Sequence, residues 1–191
     1  MVCLWCHFSS ITTLKKFESG RYIINIMHNS PSINGLTSRR ASEADWDSIL
    51  KLLDETKLSF WFSGEENYKN FFVVIDTQTN EIVNCFAIYT EGKIGILKQF
   101  ATSKNLQGKG LGKYIANTII PRVAKEIGLE KIYLQGGNKE PFTSMHFWEK
   151  TIFKPIDKDK IKDSYAKNYI DYIEKRFPEH FYREATFCIE V

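Results

Sequence analysis

The chain has 191 residues, a formal net charge of +3, and 43% apolar with 14% aromatic residues. That length suits one domain with a proper core, and the apolar content excludes a wholly disordered chain. A charge this mild, with no basic stripe interleaved with aromatics, gives no nucleic-acid partner, and no apolar run reaches the ~18 residues of a membrane-crossing helix, so no membrane partner is expected either.

Residues 1–33 read as an N-terminal extension. Met1 to Ile26 lacks the basic start and clean apolar run of a secretory signal, while Lys15, Lys16 and Arg21 among serines and threonines resemble the composition of a transit peptide. Two readings therefore stand for this segment: a disordered or mitochondrial-targeting extension, or residues preceding a start at Met27. Cys3-Leu4-Trp5-Cys6-His7 fits the Cys-x-x-Cys-His haem-attachment spacing. It is one isolated match without an export signal, and the expectation is coincidence, with no metal site. Cys85 and Cys188 each lie in apolar strand patterns and read as core thiols, which makes a reducing, cytoplasmic compartment the default.

Leu36 to Ala41 can form a first strand. Ser42 then offers a helix N-cap with Glu43 and Asp45 in the first turn, and Trp46, Ile49, Leu50 and Leu53 make one helical face. Phe60-Trp61-Phe62, closed by Ser63-Gly64, reads either as core or as an aromatic wall for a substrate. Phe71 to Ile75 is a strand by its β-branched and aromatic content; Thr77 to Asn80 is a turn, and Ile82 to Tyr89 the returning strand. After Thr90-Glu91-Gly92, a further strand over Ile94 to Thr102 delivers the chain to the most informative stretch.

That stretch is Asn105-Leu-Gln107-Gly108-Lys109-Gly110-Leu111-Gly112-Lys113. Glycines at alternating positions leave successive backbone N–H groups free to turn toward one ligand group. Leu111, Ile115, Ile119, Val123 and Ile127 follow at helical spacing, so the glycines sit where unpaired N–H donors and the positive end of a helix dipole meet. Lys104, Lys109 and Lys113 add positive charge. A phosphate cradle and a tight strand-to-helix turn with solvated lysines are the competing readings. The spacing matches neither a nucleotide P-loop nor the dinucleotide fingerprint. The helix is expected to end at Gly128, with Pro121 bending it near Asn117.

Lys131 to Gln135 is then a strand, Gly136-Gly137-Asn138 a loop, and Pro141 to Lys150 a helix. Beyond residue 156, a helix over 158–177 groups Ile161, Tyr165, Tyr169, Tyr172 and Ile173 on one face, either for packing or for a partner. Phe187, Ile189 and Val191 alternate as a last strand of the same sheet. The domain is thus read as residues 34–156, completed by 157–191.

Gln107-x-x-Gly110-x-Gly112 resembles the Gln/Arg-x-x-Gly-x-Gly/Ala signature of the GNAT N-acetyltransferase superfamily. Leu36 to Leu53 is similar to that family's first strand and helix. Phe147-Trp148-Glu149-Lys150-Thr-Ile-Phe153 resembles its Phe-Tyr-Glu-Lys-x-Gly-Phe segment. The three matches fall in the family's order across residues 36 to 156. The resemblance implies an α+β fold of three α/β/α layers, with a twisted, mixed and mostly antiparallel sheet flanked by helices. It implies acetyl transfer from acetyl-coenzyme A, as cosubstrate, to a primary amine by direct attack in a ternary complex. By position, Phe100, Ala101 and Thr102 then pair with the pantetheine arm. Gln107, Gly108, Lys109, Gly110, Leu111, Gly112 and Lys113 form the pyrophosphate loop, the strand before that loop splays from the one at 131–135, and Phe60, Trp61 and Phe62 line the acceptor pocket. A non-catalytic acyl-coenzyme A binding module on the same fold is the alternative.

The chain departs from the family where protons are handled. A lysine-like amine is neutral in only on the order of one molecule in a thousand at pH 7, a cost of roughly 4–5 kcal/mol without a base or water chain. Family members often carry a carboxylate on one of the two splayed strands, and this chain has none between Lys93 and Gln107 or between Lys131 and Asn138. Glu91, Glu65, Glu66 and His146 are the remaining candidates. Trp148 stands where a tyrosine is expected to protonate the leaving thiolate, and an indole N–H does not give up its proton. The catalytic residues are therefore unassigned at this stage.

Overall fold

The structure, a computed structural model, describes residues 14–16, 22–24, 35–59, 67–137, 144–176 and 185–191. The chain divides into two units, Met1–Ser32 and Ile33–Val191. In the first, β1 (Leu14–Lys16) and β2 (Tyr22–Ile24) pair antiparallel, with Leu14 opposite Ile24 and Lys16 opposite Tyr22.

The second unit is built on a seven-stranded sheet whose strands are β3 (Leu36–Arg40), β4 (Phe71–Asp76), β5 (Glu81–Glu91), β6 (Ile94–Thr102), β7 (Lys131–Gly136), β8 (Lys154–Ile156) and β9 (Ala185–Glu190). Their order is β3-β4-β5-β6-β7-β9-β8. Every neighbouring pair is antiparallel except β6 with β7. This is the mixed, mostly antiparallel sheet the sequence implies. The last strand lies between β7 and β8, bonded to both, and not at an edge.

Side chains alternate across the strands and so divide the core in two. One face carries Phe72, Val74, Phe86, Ile88, Leu97, Ile132, Leu134, Phe187 and Ile189, packed against Leu111, Ile115, Ile119, Ile120 and Val123 of the helical run that follows the glycine loop. On the other, Phe71, Val73, Ile75, Cys85, Ala87 and Ala101 meet Ile49, Leu52 and Leu53 of α1 (Trp46–Glu55). Further along that face, Ile96 and Tyr133 are covered by Ile161 and by Ala166 and Ile170 of a C-terminal helix over Ser164–Arg176. Every residue of β4 is buried, which accounts for its unbroken apolar run.

The helical run has three parts: α2 (Leu111–Tyr114), a π turn over Ile115–Ile119, and α3 (Ile120–Glu126). Pro121 has no N–H for the Asn117 carbonyl, so the backbone there cannot keep the i to i−4 ladder. The chain widens by one residue ahead of it, with Ile120 N–H donating to the Ile115 carbonyl. The bend expected at Asn117 is thus absorbed as a π turn. The freed Asn117 side chain accepts from Ile152 N–H at 2.9 Å. The run ends at Gly128 in the left-handed region, φ 79°, with Leu129 N–H closing back on the Ala124 carbonyl at 2.9 Å.

Three expectations need correcting. The next helix, α4 (Met145–Trp148), starts after Ser144 and ends before Lys150, shorter than the Pro141 to Lys150 expected, and residues 138–143 lie outside the described residues. In the C-terminal helix, α5 (Ser164–Arg176), the buried positions are Ala166, Ile170 and Ile173, and Tyr172 is 48% exposed, because the burial follows the 3.6-residue period from Ala166 rather than from Tyr165. Likewise Phe187 and Ile189 of β9 are buried but Val191 lies past the strand, 40% exposed.

The entry to α1 is a short 3-10 turn, Glu43–Asp45, tied by one carboxylate. Asp45 Oδ1 and Oδ2 accept from both terminal nitrogens of Arg39 at 2.8 and 2.7 Å, and Oδ2 also accepts from Ser42 N–H and Ser42 Oγ–H at 2.7 Å each. The Arg39 guanidinium, then the Ser42 donors, hold the Asp45 carboxyl well below the usual carboxylate range. A depressed acid stabilises the fold above its unfolded pKa of about 3.9 and loses that contribution as pH falls. Since Arg39 is half-exposed, Asp45→Asn is expected to cost about 1–2 kcal/mol at pH 7. In urea titrations the gap between wild type and variant should begin to narrow below about pH 4 and shrink further as pH falls toward the carboxyl's depressed native value.

Candidate functional site

β6 and β7 pair only at Ile94 with Lys131, Gly95 with Ile132 and Ile96 with Tyr133. Both strands run on, to Thr102 and Gly136, without bonding to each other. The cause lies in β6. Opposite Cys85 and Ala87 of β5 stand Ala101 and Lys98, so β6 carries one residue too many, and Gln99 takes a left-handed φ of 45°. A bulge of this kind bends and twists its strand, here away from β7. A left-handed non-glycine residue stores on the order of 1–3 kcal/mol, which the surrounding packing must hold. Aromatic rings fill one side of the opening: Phe100 lies 5.6 Å from Phe147 and 5.2 Å from Trp148, and Trp148 packs at 5.3 Å against Phe153.

The opening is the inner part of a cavity of about 740 Å³. Its walls are Leu97 to Thr102 of β6, Leu134 and Gln135 of β7, Phe147 and Trp148 of α4, Thr56 and Leu58 after α1, and Tyr169 and Ile173 of α5. At one end lie Gln107, Gly108, Gly110, Gly112 and Lys113, with Lys150 nearby on the lining. The glycine loop is pinned by buried Leu106 before it and buried Leu111 after it. Gly108 and Gly110 have φ of 72° and 84°, and a Cβ added at either would meet nothing within 4 Å. Glycine is needed there for conformation, and the space before the loop is open. Behind the loop the first N–H groups of the helical run have no acceptor within the helix. Gln107 Nε2 donates to the Thr102 carbonyl at 2.8 Å, fixing the loop to the end of β6.

The structure gathers Phe100, Ala101, Thr102, Gln107, Gly108, Gly110, Gly112 and Lys113 around this one cavity. Lys109 is exposed beside it, and Leu111 contributes its backbone while its side chain is in the core. Phe60, Trp61 and Phe62 lie outside the described residues, as do Glu65 and Glu66. Of the other candidate bases, Glu91 is exposed at the end of β5, and His146 points outward, paired with Glu149 at 3.0 Å. Trp148 is 5% exposed and wedged among Phe100, Phe147 and Phe153, an apolar wall and not a proton donor. Among the described residues no cluster of His, Cys, Asp or Glu could hold a metal, and no helix is long and apolar enough to cross a membrane.

Three features escaped the sequence. Tyr169 and Ile173 place α5 on the cavity wall, and Lys98 stacks over the rings of Tyr89 at 4.4 Å and Tyr169 at 5.5 Å. The third is a pair of amides, Gln99 and Gln135, one on each splayed strand. Both line the cavity, and neither side chain's nitrogen or oxygen, all shielded from solvent, has a hydrogen-bond partner among the described residues. Their signal in the sequence is a neutral amide soon after an apolar run, Ile94 to Leu97 before Gln99 and Ile132 to Leu134 before Gln135.

Solved structures share this fold. N-acetylglutamate synthase from Neisseria gonorrhoeae, in complex with coenzyme A and N-acetyl-glutamate, superposes with a TM-score of 0.58 at 16% identity, over 81% of this chain and 35% of that one, so this chain spans about a third of its length. Rv2747 from Mycobacterium tuberculosis, in complex with coenzyme A and NLQ, gives 0.59 at 16% identity over 81% and 99%. An acetyltransferase of the GNAT family from Staphylococcus aureus gives 0.55 at 13% identity over 81% and 98%. No curated protein matches the sequence. The acetyltransferase (GNAT) family model matches residues 38–152, more than half of the chain, and the protein belongs to that family.

Proposed function

We propose that this protein is an N-acetyltransferase that moves an acetyl group from acetyl-coenzyme A to a primary amine by direct attack in a ternary complex. The observation that carries this reading is the opening of the parallel pair after Ile96 and Tyr133, which leaves the β6 edge facing a cavity that runs to the glycine loop. In this reading the backbone groups of Phe100, Ala101 and Thr102 that neither β5 nor Gln107 takes bond the pantetheine arm as an added strand would. The backbone of Gln107 to Lys113 takes the pyrophosphate, and Lys113 and Lys150 balance its charge. The residues fit such a group: positive-φ glycines set back from open space, at the start of a helix, with Lys113 and Lys150 among the lining residues. The coenzyme supplies the activated acyl group. The chain's part is to hold donor and acceptor at reacting distance and to keep water out, with Phe147 and Trp148 as the apolar wall.

The buried Trp148 favours a second reading, a coenzyme-binding module without turnover, because no phenol stands there to protonate a leaving thiolate. Calorimetry with acetyl-coenzyme A, followed by thiol detection with a panel of amines, separates the two. Binding with amine-dependent thiol release supports the enzyme. Binding without release from any amine supports the module, and no binding removes both.

A further inference from the structure

Gln99 is 7% exposed and strained into the left-handed region, and Gln135 stands on the strand that parts from it. Their four amide nitrogen and oxygen atoms are sheltered from solvent, belong to residues that line the same cavity, and bond to nothing among the described residues. Buried amides are as a rule paired, so two unpaired ones on either side of one gap point to a ligand group that pairs them. Each offers both N–H donors and a carbonyl acceptor, and neither takes a proton. A neutral amine matches that set, giving its hydrogens to the amide oxygens while its lone pair stays free for attack. An ammonium ion matches it poorly, since in so sheltered a place it would need a carboxylate partner.

Resting on the acetyl-transfer reading above, we infer that Gln99 and Gln135 clamp the acceptor nitrogen in its uncharged form, and that the acceptor is a weakly basic primary amine such as the α-amine at the start of a peptide. The nitrogen arrives neutral and attacks the thioester carbon; the C–S bond breaks with its electron pair going to sulfur, coenzyme A leaves as the thiolate, and the nitrogen's surplus proton passes to water, from which the thiolate takes one. The titratable groups on the cavity wall among the described residues are Lys98 of β6, Lys113 of α2, Lys150 after α4 and Tyr169 of α5, with no carboxylate or imidazole. An α-amine of pKa about 7.8 is neutral a few hundred times more often at pH 7 than a lysine side chain of about 10.4. Its lower nucleophilicity offsets part of that.

The test uses the full chain, acetyl-coenzyme A and two peptides, one with a free α-amine and no lysine, the other N-terminally blocked with one lysine. The expected kcat/KM favours the α-amine at least tenfold at pH 7, and the pH profile of kcat/KM levels at the acceptor's own pKa, moving when the acceptor is changed. Gln135→Met should lower kcat/KM for the α-amine about tenfold while calorimetry finds acetyl-coenzyme A affinity unchanged. Gln99→Glu should instead raise lysine acetylation and fix the inflection at one pH for both peptides. Equal use of the two peptides by the wild type, an inflection independent of the acceptor, or full activity in Gln135→Met overturns the clamp. Failure of the wild type to bind acetyl-coenzyme A overturns the underlying reading instead, and the clamp with it.

Discussion

Gly110→Val is expected to lower acetyl-coenzyme A affinity about 100-fold while the sheet stays folded. Gly110 sits at φ 84° as the residue from which the helical run starts. A β-branched side chain there costs about 1–2 kcal/mol if the conformation is kept. If it is relaxed, the Gly108 to Gly112 backbone turns its N–H groups away from their common focus. Losing two charge-assisted hydrogen bonds, each worth about 1.5–3 kcal/mol, corresponds to about two or more decades of affinity. Since an added Cβ meets no atom within 4 Å, no clash disturbs the core. Thermal unfolding should therefore shift by only a few degrees. Calorimetry on the variant checks the affinity, and near-wild-type binding would mean the loop is not where the pyrophosphate lies.

Phe187→Ala is the substitution with the largest expected effect on stability, about 3–5 kcal/mol. Phe187 is fully buried, and its strand lies between β7 and β8, paired with Leu134 on one side and Pro155 on the other. The ring also touches the place where a Cβ on Gly136 would stand, at 3.1 Å, so it supports the backbone at the open end of β7. For a domain whose whole stability is of the order of 5–15 kcal/mol, such a loss should lower the melting temperature by about 10 °C or more. A melting temperature within about 2 °C of wild type would mean that the ring is not packed as described.

The features legible in the sequence are those fixed by local backbone chemistry or by period. The glycine loop could be located because positive φ is a property of single residues, and β4 and β6 because apolar β-branched runs have few alternatives. The position of the splay was implied by likeness, but its cause was not. The bulge at Gln99 arises from a mismatch between β5 and β6 across the sheet, which no window of one strand contains. The place of β9 between β7 and β8 depends in the same way on long-range pairing. Pro121 announced a broken ladder, yet whether a helix kinks or widens depends on what its flank meets, here the Ile152 N–H that Asn117 accepts. Tyr172 was put on the wrong face because an aromatic residue was weighed above Ala166, whose small side chain allows the close approach of α5. At the site, expecting charged chemistry obscured the neutral pair of glutamines.

The account turns on the opening between β6 and β7 as the seat of the coenzyme, and amide hydrogen exchange with and without saturating acetyl-coenzyme A tests that most directly. The predicted result is slowed exchange in Leu97 to Thr102 and in Gln107 to Lys113, with β3 and β8 unchanged. Slowing confined to other segments, or none at saturation, would contradict it.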